Sequence, residues 1–267
     1  MQKSLSFLGV SLLLACLAAA GCASQAERED SQAQPRELIF VAGASGRVGR
    51  YVIRRLKDEG RPFRSLTTSK ASAIERWGDS YRKMNWVEGD VRDAARTQKI
   101  MAGATTVICV IGARETSGPN GPEFVDYGGV VNLVEAAKAA QVEHFVLLTA
   151  IGVTDPGHPF NKATRGALQW RYKGEEHLRN SGLNYTIVRP AGLVNRPAGE
   201  QGLIIDQGDN WQPLLRSTLS REDLALVLIE SLANAGARNA TFEIANDPTR
   251  GPGDWRLLLD GLEPDQP

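Results

Sequence analysis

The sequence predicts an α/β fold built on a doubly wound parallel sheet. Short apolar runs of strand length alternate with helix-length periodic segments from Leu38 onward, and a glycine-rich turn follows the first run. The chain also has the right size, because 267 residues less an N-terminal leader suit one such domain. Alternation of this kind demands right-handed crossovers, which put helices on both faces of the sheet.

Residues 38–42 read as a buried strand and 46–59 as a helix ending at Gly60. Residues 63–67 and 86–88 are the next strands, and 94–101 is a helix started by Asp93. Residues 106–111 form a fourth strand and 144–149 a fifth; between them, 123–140 carries Val130, Leu133, Val134 and Ala137 at helical spacing. A helix over 163–180 closes at Ser181-Gly182, and a strand over 185–188 runs into Arg189-Pro190. Ser220 to Asp223 makes a capping box for a helix through Leu232, and 241–245 is the last strand. The span 191–219 is irregular and rich in glycine and proline. Such an insert after a C-terminal strand end predicts a small substrate pocket.

Composition removes several classes of function. Lysine plus arginine equals aspartate plus glutamate at 31 each, and no basic block appears, so nucleic acid is not an expected partner. His144, His158 and His177 are scattered without ligand spacing, and no metal site is expected. Cys109 is the only cysteine in the body of the chain and reads as a small hydrophobe.

The N-terminus reads as an address. Lys3, an apolar stretch over 5–20 and the small residues before Cys22 describe a secretory signal, too short for a comfortable transmembrane span. Residues 17–22 resemble a bacterial lipobox, with Ala19 where leucine is usual, and Cys16 is a second candidate. The expected organisation is a signal peptide at 1–22, a polar tether at 23–36 and a dinucleotide-binding domain at 37–267. Lipid on Cys22 would anchor the chain at the cell envelope without spanning it. Ala23 and Ser24 resemble outer-membrane sorting, and an unused signal would leave the protein in the cytoplasm.

Gly43-Ala44-Ser45-Gly46-Arg47-Val48-Gly49 joins the first strand to the first helix. Gly43 permits a tight turn, Gly46 lets backbone approach a pyrophosphate, and Gly49 lets the helix pack on the sheet. The helix N-terminus adds N–H donors and a positive dipole for the anion. This context predicts a Rossmann-type dinucleotide site, with Ser45, Arg47 and Val48 in the phosphate loop. NAD-binding proteins usually place an acid about 20 residues on, where the ribose 2′-hydroxyl lies. Here the second strand ends Thr67-Thr68-Ser69-Lys70, so NADP is expected over NAD, with Thr68, Ser69, Lys70 and Arg47 around a 2′-phosphate.

Residues 41–49, Gly89-Asp90-Val91-Arg92-Asp93, 107–112, 145–149, 173–193 and 219–223 together carry a family resemblance. The chain resembles the atypical short-chain dehydrogenase/reductases, in the NAD(P)H-binding, NmrA-like and biliverdin reductase B-like branch. The resemblance implies Asp90 and Val91 near the adenine and Gly112 beside the cofactor. It implies Lys173 at the nicotinamide ribose, with Pro190 and Ala191 near the carboxamide. Typical members place a tyrosine four residues before that lysine and a serine at the fifth strand's end. Here those positions hold Gln169 and the run Leu148-Thr149-Ala150. Tyr172 is displaced by about 100° around the helix and cannot substitute.

Lys173 and Thr149 are therefore the remaining candidate catalytic residues. Three readings stay open: an NADPH-dependent oxidoreductase of a small or aromatic acceptor (flavin- or quinone-like), a non-catalytic nucleotide sensor or scaffold at the envelope, and a sugar-nucleotide epimerase-like enzyme. The expected state is a monomer or small homo-oligomer. Labelled palmitate is expected to enter the wild-type chain and Cys16→Ser but not Cys22→Ser; a labelled Cys22→Ser protein sinks the anchor assignment.

Overall fold

The computed structural model describes residues 37–209, 212–214 and 216–266. The signal, the tether, Cys16 and Cys22 lie outside them. The first half of the described chain forms β1 (Ile39–Ala42), α1 (Gly49–Asp58), β2 (Phe63–Thr67), α2 (Lys70–Trp77), β3 (Trp86–Glu88), α3 (Ala94–Met101) and β4 (Thr106–Cys109). A wide π-helical segment, Glu123–Gly129, then runs into α4 (Val130–Ala139), followed by β5 (His144–Leu148), α5 (Pro159–Ala163) and α6 (Ala167–Arg179). The last part holds β6 (Tyr185–Pro190), β7 (Gly192–Val194), β8 (Gly202–Asp206), β9 (Thr218–Ser220), α7 (Arg221–Glu230), β10 (Ala240–Asp247) and α8 (Arg256–Asp260).

The main sheet has the order β3-β2-β1-β4-β5-β6-β10-β8. All neighbours pair in parallel except β10 with β8. The α/β doubly wound fold is thus the one expected. β1 is buried on both faces, which is why its run is continuously apolar rather than alternating. Ile39 and Val41 pack with Val52, Ile53 and Leu56 of α1 and with Leu224, Val227 and Leu228 of α7. Phe40 and Ala42 face the other layer, with Ile100 and Met101 of α3, Leu133 and Val134 of α4, and Leu178 of α6. The order reverses between β1 and β4, and a crevice opens there at the C-terminal ends of the strands.

Several expectations need correction. The span 191–219 is not irregular throughout. β7 and β9 form a two-stranded parallel sheet, and β8 adds an antiparallel edge to the main sheet. The helix over 163–180 begins only at Ala167, because Gly166 has a left-handed φ of 88° and separates it from α5. The helix over 123–140 starts as the wider π turn. The caps at Asp93 and Ser220 do form, accepting from Arg96 N at 2.9 Å and from Glu222 N at 3.2 Å.

His144, buried at the start of β5, gives the fold a pH dependence. Its Nε2 lies 2.8 Å from Thr186 Oγ1, and that hydroxyl donates to the Ala237 carbonyl at 2.6 Å. The imidazole must therefore donate the first bond through Nε2–H. Burial, aided by the charge of Arg238, lowers its pKa from 6.5 to about 4. The unfolded chain takes up the proton first, so this stability is present above pH 6.5 and is lost as pH falls towards 4. Urea unfolding is expected to lose about 3 kcal/mol across that window beyond the loss in His144→Gln. Equal slopes for the two proteins would refute it.

Candidate functional site

The turn after β1 is built by backbone geometry. Gly43 has φ 81°, and a Cβ there would lie 2.6 Å from the Val110 carbonyl oxygen, so only glycine lets the chain pass the end of β4. Gly46 N–H donates to Gly43 O at 2.9 Å. Gly49 differs from expectation: its missing Cβ would sit 2.3 Å from Gly43 O and 2.7 Å from Ala44 Cα. Its role is to close the turn on itself, rather than to seat the helix on the sheet. α1 starts with no side-chain cap and no acid in its first turn. Its N-terminal donors and dipole are left for an anion.

A cleft of about 1490 Å³ runs along the crevice. It brings together Gly43, Ser45, Gly46, Arg47, Val48, Thr68, Asp90, Val91, Gly112, Thr149, Pro190 and Ala191. Ser69, Lys70 and Lys173 are not on its wall. Ser69 caps α2, its hydroxyl accepting from Ser72 N at 3.2 Å. Lys70 is the first residue of that helix, and its N–H donates to Glu88 Oε1 at 2.8 Å. It is the far end of α2 that reaches the cleft, with Arg76 and Trp77 on its wall. Trp77 Nε1 donates to Ser45 O at 3.0 Å, and the Arg50 guanidinium lies 4.3 Å over the same indole. Arg221 joins from α7, its pKa lowered by burial and by the like charges of Arg47 and Arg50.

The wall carries Arg47, Arg76, Arg92, Arg114, Arg171 and Arg221 against only Asp90 and Glu115. A neutral chain thus has a positive cleft, which concentrates anions. Asp90 is held below its ordinary pKa by its hydrogen bonds from Arg92. Arg92 also donates to Pro119 O at 2.8 Å and Asn120 Oδ1 at 2.9 Å, strapping the loop after β4 to the end of β3.

Thr149 and Lys173 do not meet in the cleft. The Thr149 hydroxyl donates to Glu175 Oε1 at 2.6 Å, and Glu175 is fully buried. Glu175 also accepts from Arg189 at 3.1 and 2.6 Å and from Arg179 at 3.1 Å. Arg189 extends the network to Glu243 Oε1 at 3.1 Å. Burial alone would lower the Arg189 pKa, but the hydrogen bonds and charge of Glu175, with Asp209 and Glu243, hold it above its ordinary value. Burial pushes Glu243 up despite Arg189. Lys173 is exposed, with its Nζ 4.0 Å over the Trp170 ring.

Helix phase explains both outcomes. The buried stripe of α6 runs through Leu168, Gly174, Glu175 and Leu178, and position 173 falls outside it. Arg171 falls in line with that stripe and reaches the cleft. Its Nε donates to Asp126 Oδ1 at 3.0 Å, and Asp126 Oδ2 accepts from Ala113 N at 3.1 Å. Sequence reasoning missed Arg76, Trp77, Arg171, Arg221 and Asp126. The spacing of Leu168, Arg171, Glu175 and Leu178 could have singled out Arg171.

Thr149→Val is expected to lower unfolding stability by about 1–3 kcal/mol, because it removes a donor from a buried carboxylate. Dinucleotide affinity should stay within about twofold, since the lost bond points into the protein. Unchanged stability in urea unfolding would overturn this assignment.

A family profile described as NAD(P)H-binding matches residues 43–235. Protein TIC 62 of pea chloroplasts is 34% identical over 213 residues, covering 73% of this chain and 38% of its own length. The chain therefore spans well under half of that relative. Sanguinarine reductase of Eschscholzia californica is 27% identical over 247 residues, covering 79% of this chain and 89% of its own. Among solved structures, a provisionally assigned NAD-dependent epimerase/dehydratase of Bacillus halodurans superposes with a TM-score of 0.68 at 23% identity, covering 80% of this chain and 96% of that one. A short-chain dehydrogenase/reductase of Veillonella parvula, solved with NADP, gives 0.62 at 15% identity, covering 80% and 96%.

Proposed function

The chain belongs to the NAD(P)H-binding family, and from that premise we propose that it is an NADPH-dependent oxidoreductase of a small or aromatic acceptor, flavin- or quinone-like. The observation that carries the choice of dinucleotide is the wall beside the end of β2. It presents Thr68, Arg76 and Arg47 and no carboxylate of β2 or α2. Guanidinium groups suit a phosphate dianion, whereas a ribose hydroxyl is ordinarily met by an acid. The glycine turn fits a pyrophosphate: Gly46, Arg47 and Val48 line the cleft, and α1 begins there uncapped.

When bound, the nicotinamide would supply a hydride. The protein's own residues bind and orient, and they offer little acid–base help. The Thr149 proton is committed to Glu175, and Lys173 faces solvent. Such a site suits acceptors that take up hydride without a protein acid, and conjugated rings that spread the incoming charge meet that condition. The relative named sanguinarine reductase supports the reductase reading. A nucleotide sensor or scaffold would use the same cleft, and the displaced Lys173 favours it as the second reading. Anchorage through Cys22 on the periplasmic face of the outer membrane remains part of the proposal, on the sequence of the leader.

Fluorescence titration of the full chain separates the dinucleotides. NADPH is expected to bind at least about tenfold more tightly than NADH, and Arg76→Ala to remove most of that difference while leaving NADH within about twofold. Equal or tighter binding of NADH would sink the NADP assignment. Binding without oxidation of NADPH by flavin or quinone acceptors would favour the sensor.

A further inference from the structure

A recess of about 90 Å³ adjoins the cleft, and Phe160 and Arg171 line both. Water occupies roughly 30 Å³ per molecule in the liquid, so the recess has room for a substituent of a few heavy atoms. Arg171 is held on one side only. Its Nε is bonded to Asp126, whose side chain is 3% exposed against 24% for the arginine. Nε is fixed on Asp126, and the terminal nitrogen Nη2 would lie 3.6 Å from a Cβ at Gly112, with Asp126 Oδ1 3.8 Å from the same point. The two carboxylates that share the recess are engaged. Asp126 uses one oxygen for Arg171 and the other for Ala113 N–H, and Glu115 accepts from Asn120 Nδ2 at 2.8 Å.

The approach of α6 makes this possible. Gly174, one turn beyond Arg171, would place a Cβ 3.1 Å from Asp126 O, so the helix crosses the π-helical segment closely and carries Arg171 onto Asp126. The cleft wall also carries the apolar Ile151, Ala191 and Leu193, and Phe160, 46% exposed, lines both cavities with Arg171. A planar ring could lie against these groups while a charged substituent reaches the guanidinium.

We propose that Arg171 is a specificity-determining residue, and that the cleft takes a planar aromatic acceptor whose carboxylate or equivalent anionic oxygen enters the recess and pairs with it. The guanidinium fork matches a carboxylate in two-point geometry, and a partly desolvated pair of that kind discriminates strongly against a neutral isostere. The proposal rests on the dinucleotide reading only in taking the Gly112 end of the cleft as the reacting end.

The test is calorimetric titration of the full chain with 2-naphthoate and with its neutral analogue 2-naphthamide, with and without NADP. The acid is expected to bind at least about tenfold more tightly than the amide. Arg171→Met should abolish that preference, Arg171→Lys should restore part of it, and NADPH affinity should move less than about twofold. Thermal unfolding of each variant confirms that it is folded, and Arg171→Gln serves if Arg171→Met is not. No binding of naphthoate, no preference for it, or a preference that survives Arg171→Met would each overturn the proposal. So would a loss of NADPH affinity with the acid preference intact, which would assign Arg171 to the dinucleotide. A wild-type chain that binds naphthoate selectively but no dinucleotide would refute the function above and leave this inference standing.

Discussion

Glu175 is the constraint on which the cleft's chemistry depends. A carboxylate removed from water costs several kcal/mol unless hydrogen bonds and charge replace its hydration. Here the replacement comes from three directions in the fold: Thr149 after β5, Arg189 on β6 and Arg179 on its own helix. Rotating α6 would break the bonds to Thr149 and Arg189 together. The helix therefore has one permitted phase, and that phase decides which residues face the cleft.

The consequence is a difference in placement between two cations two positions apart. Lys173 matches the family's pattern in sequence, yet it stands in solvent over Trp170, while Arg171 lies beside Gly112. Motif resemblance reports which residue type occupies a position, and it does not report how the buried charge of Glu175, two residues beyond Lys173, has turned the helix. The phase was nonetheless recoverable, because Leu168, Arg171, Glu175 and Leu178 recur at three- and four-residue intervals.

The parts of the fold fixed by local rules were legible. Apolar runs named the parallel strands, Gly43 the turn, and Asp93 and Ser220 the helix starts. The parts fixed by tertiary approach were not. Nothing in the sequence around Gly49 distinguishes packing on a sheet from packing on Gly43 and Ala44. The run Thr68-Ser69-Lys70 suggests ligands for a phosphate, but a serine preceding a helix is drawn to its free N–H groups. β8 is five residues long, and its antiparallel partner lies some forty positions further on, a pairing that no local pattern announces.

Cys109 is fully buried at the end of β4, and its thiol is pushed up to about 12 by that burial. The thiolate is the form that reacts with alkylating reagents, and here it is both suppressed and out of reach. A folded preparation should therefore be silent to maleimide everywhere in the described residues. The chain has three cysteines in all, so any label it does take up under native conditions reports on Cys16 or Cys22. A buried core residue thereby makes the leader's chemistry readable by mass, without purification of lipid and without altering a single codon.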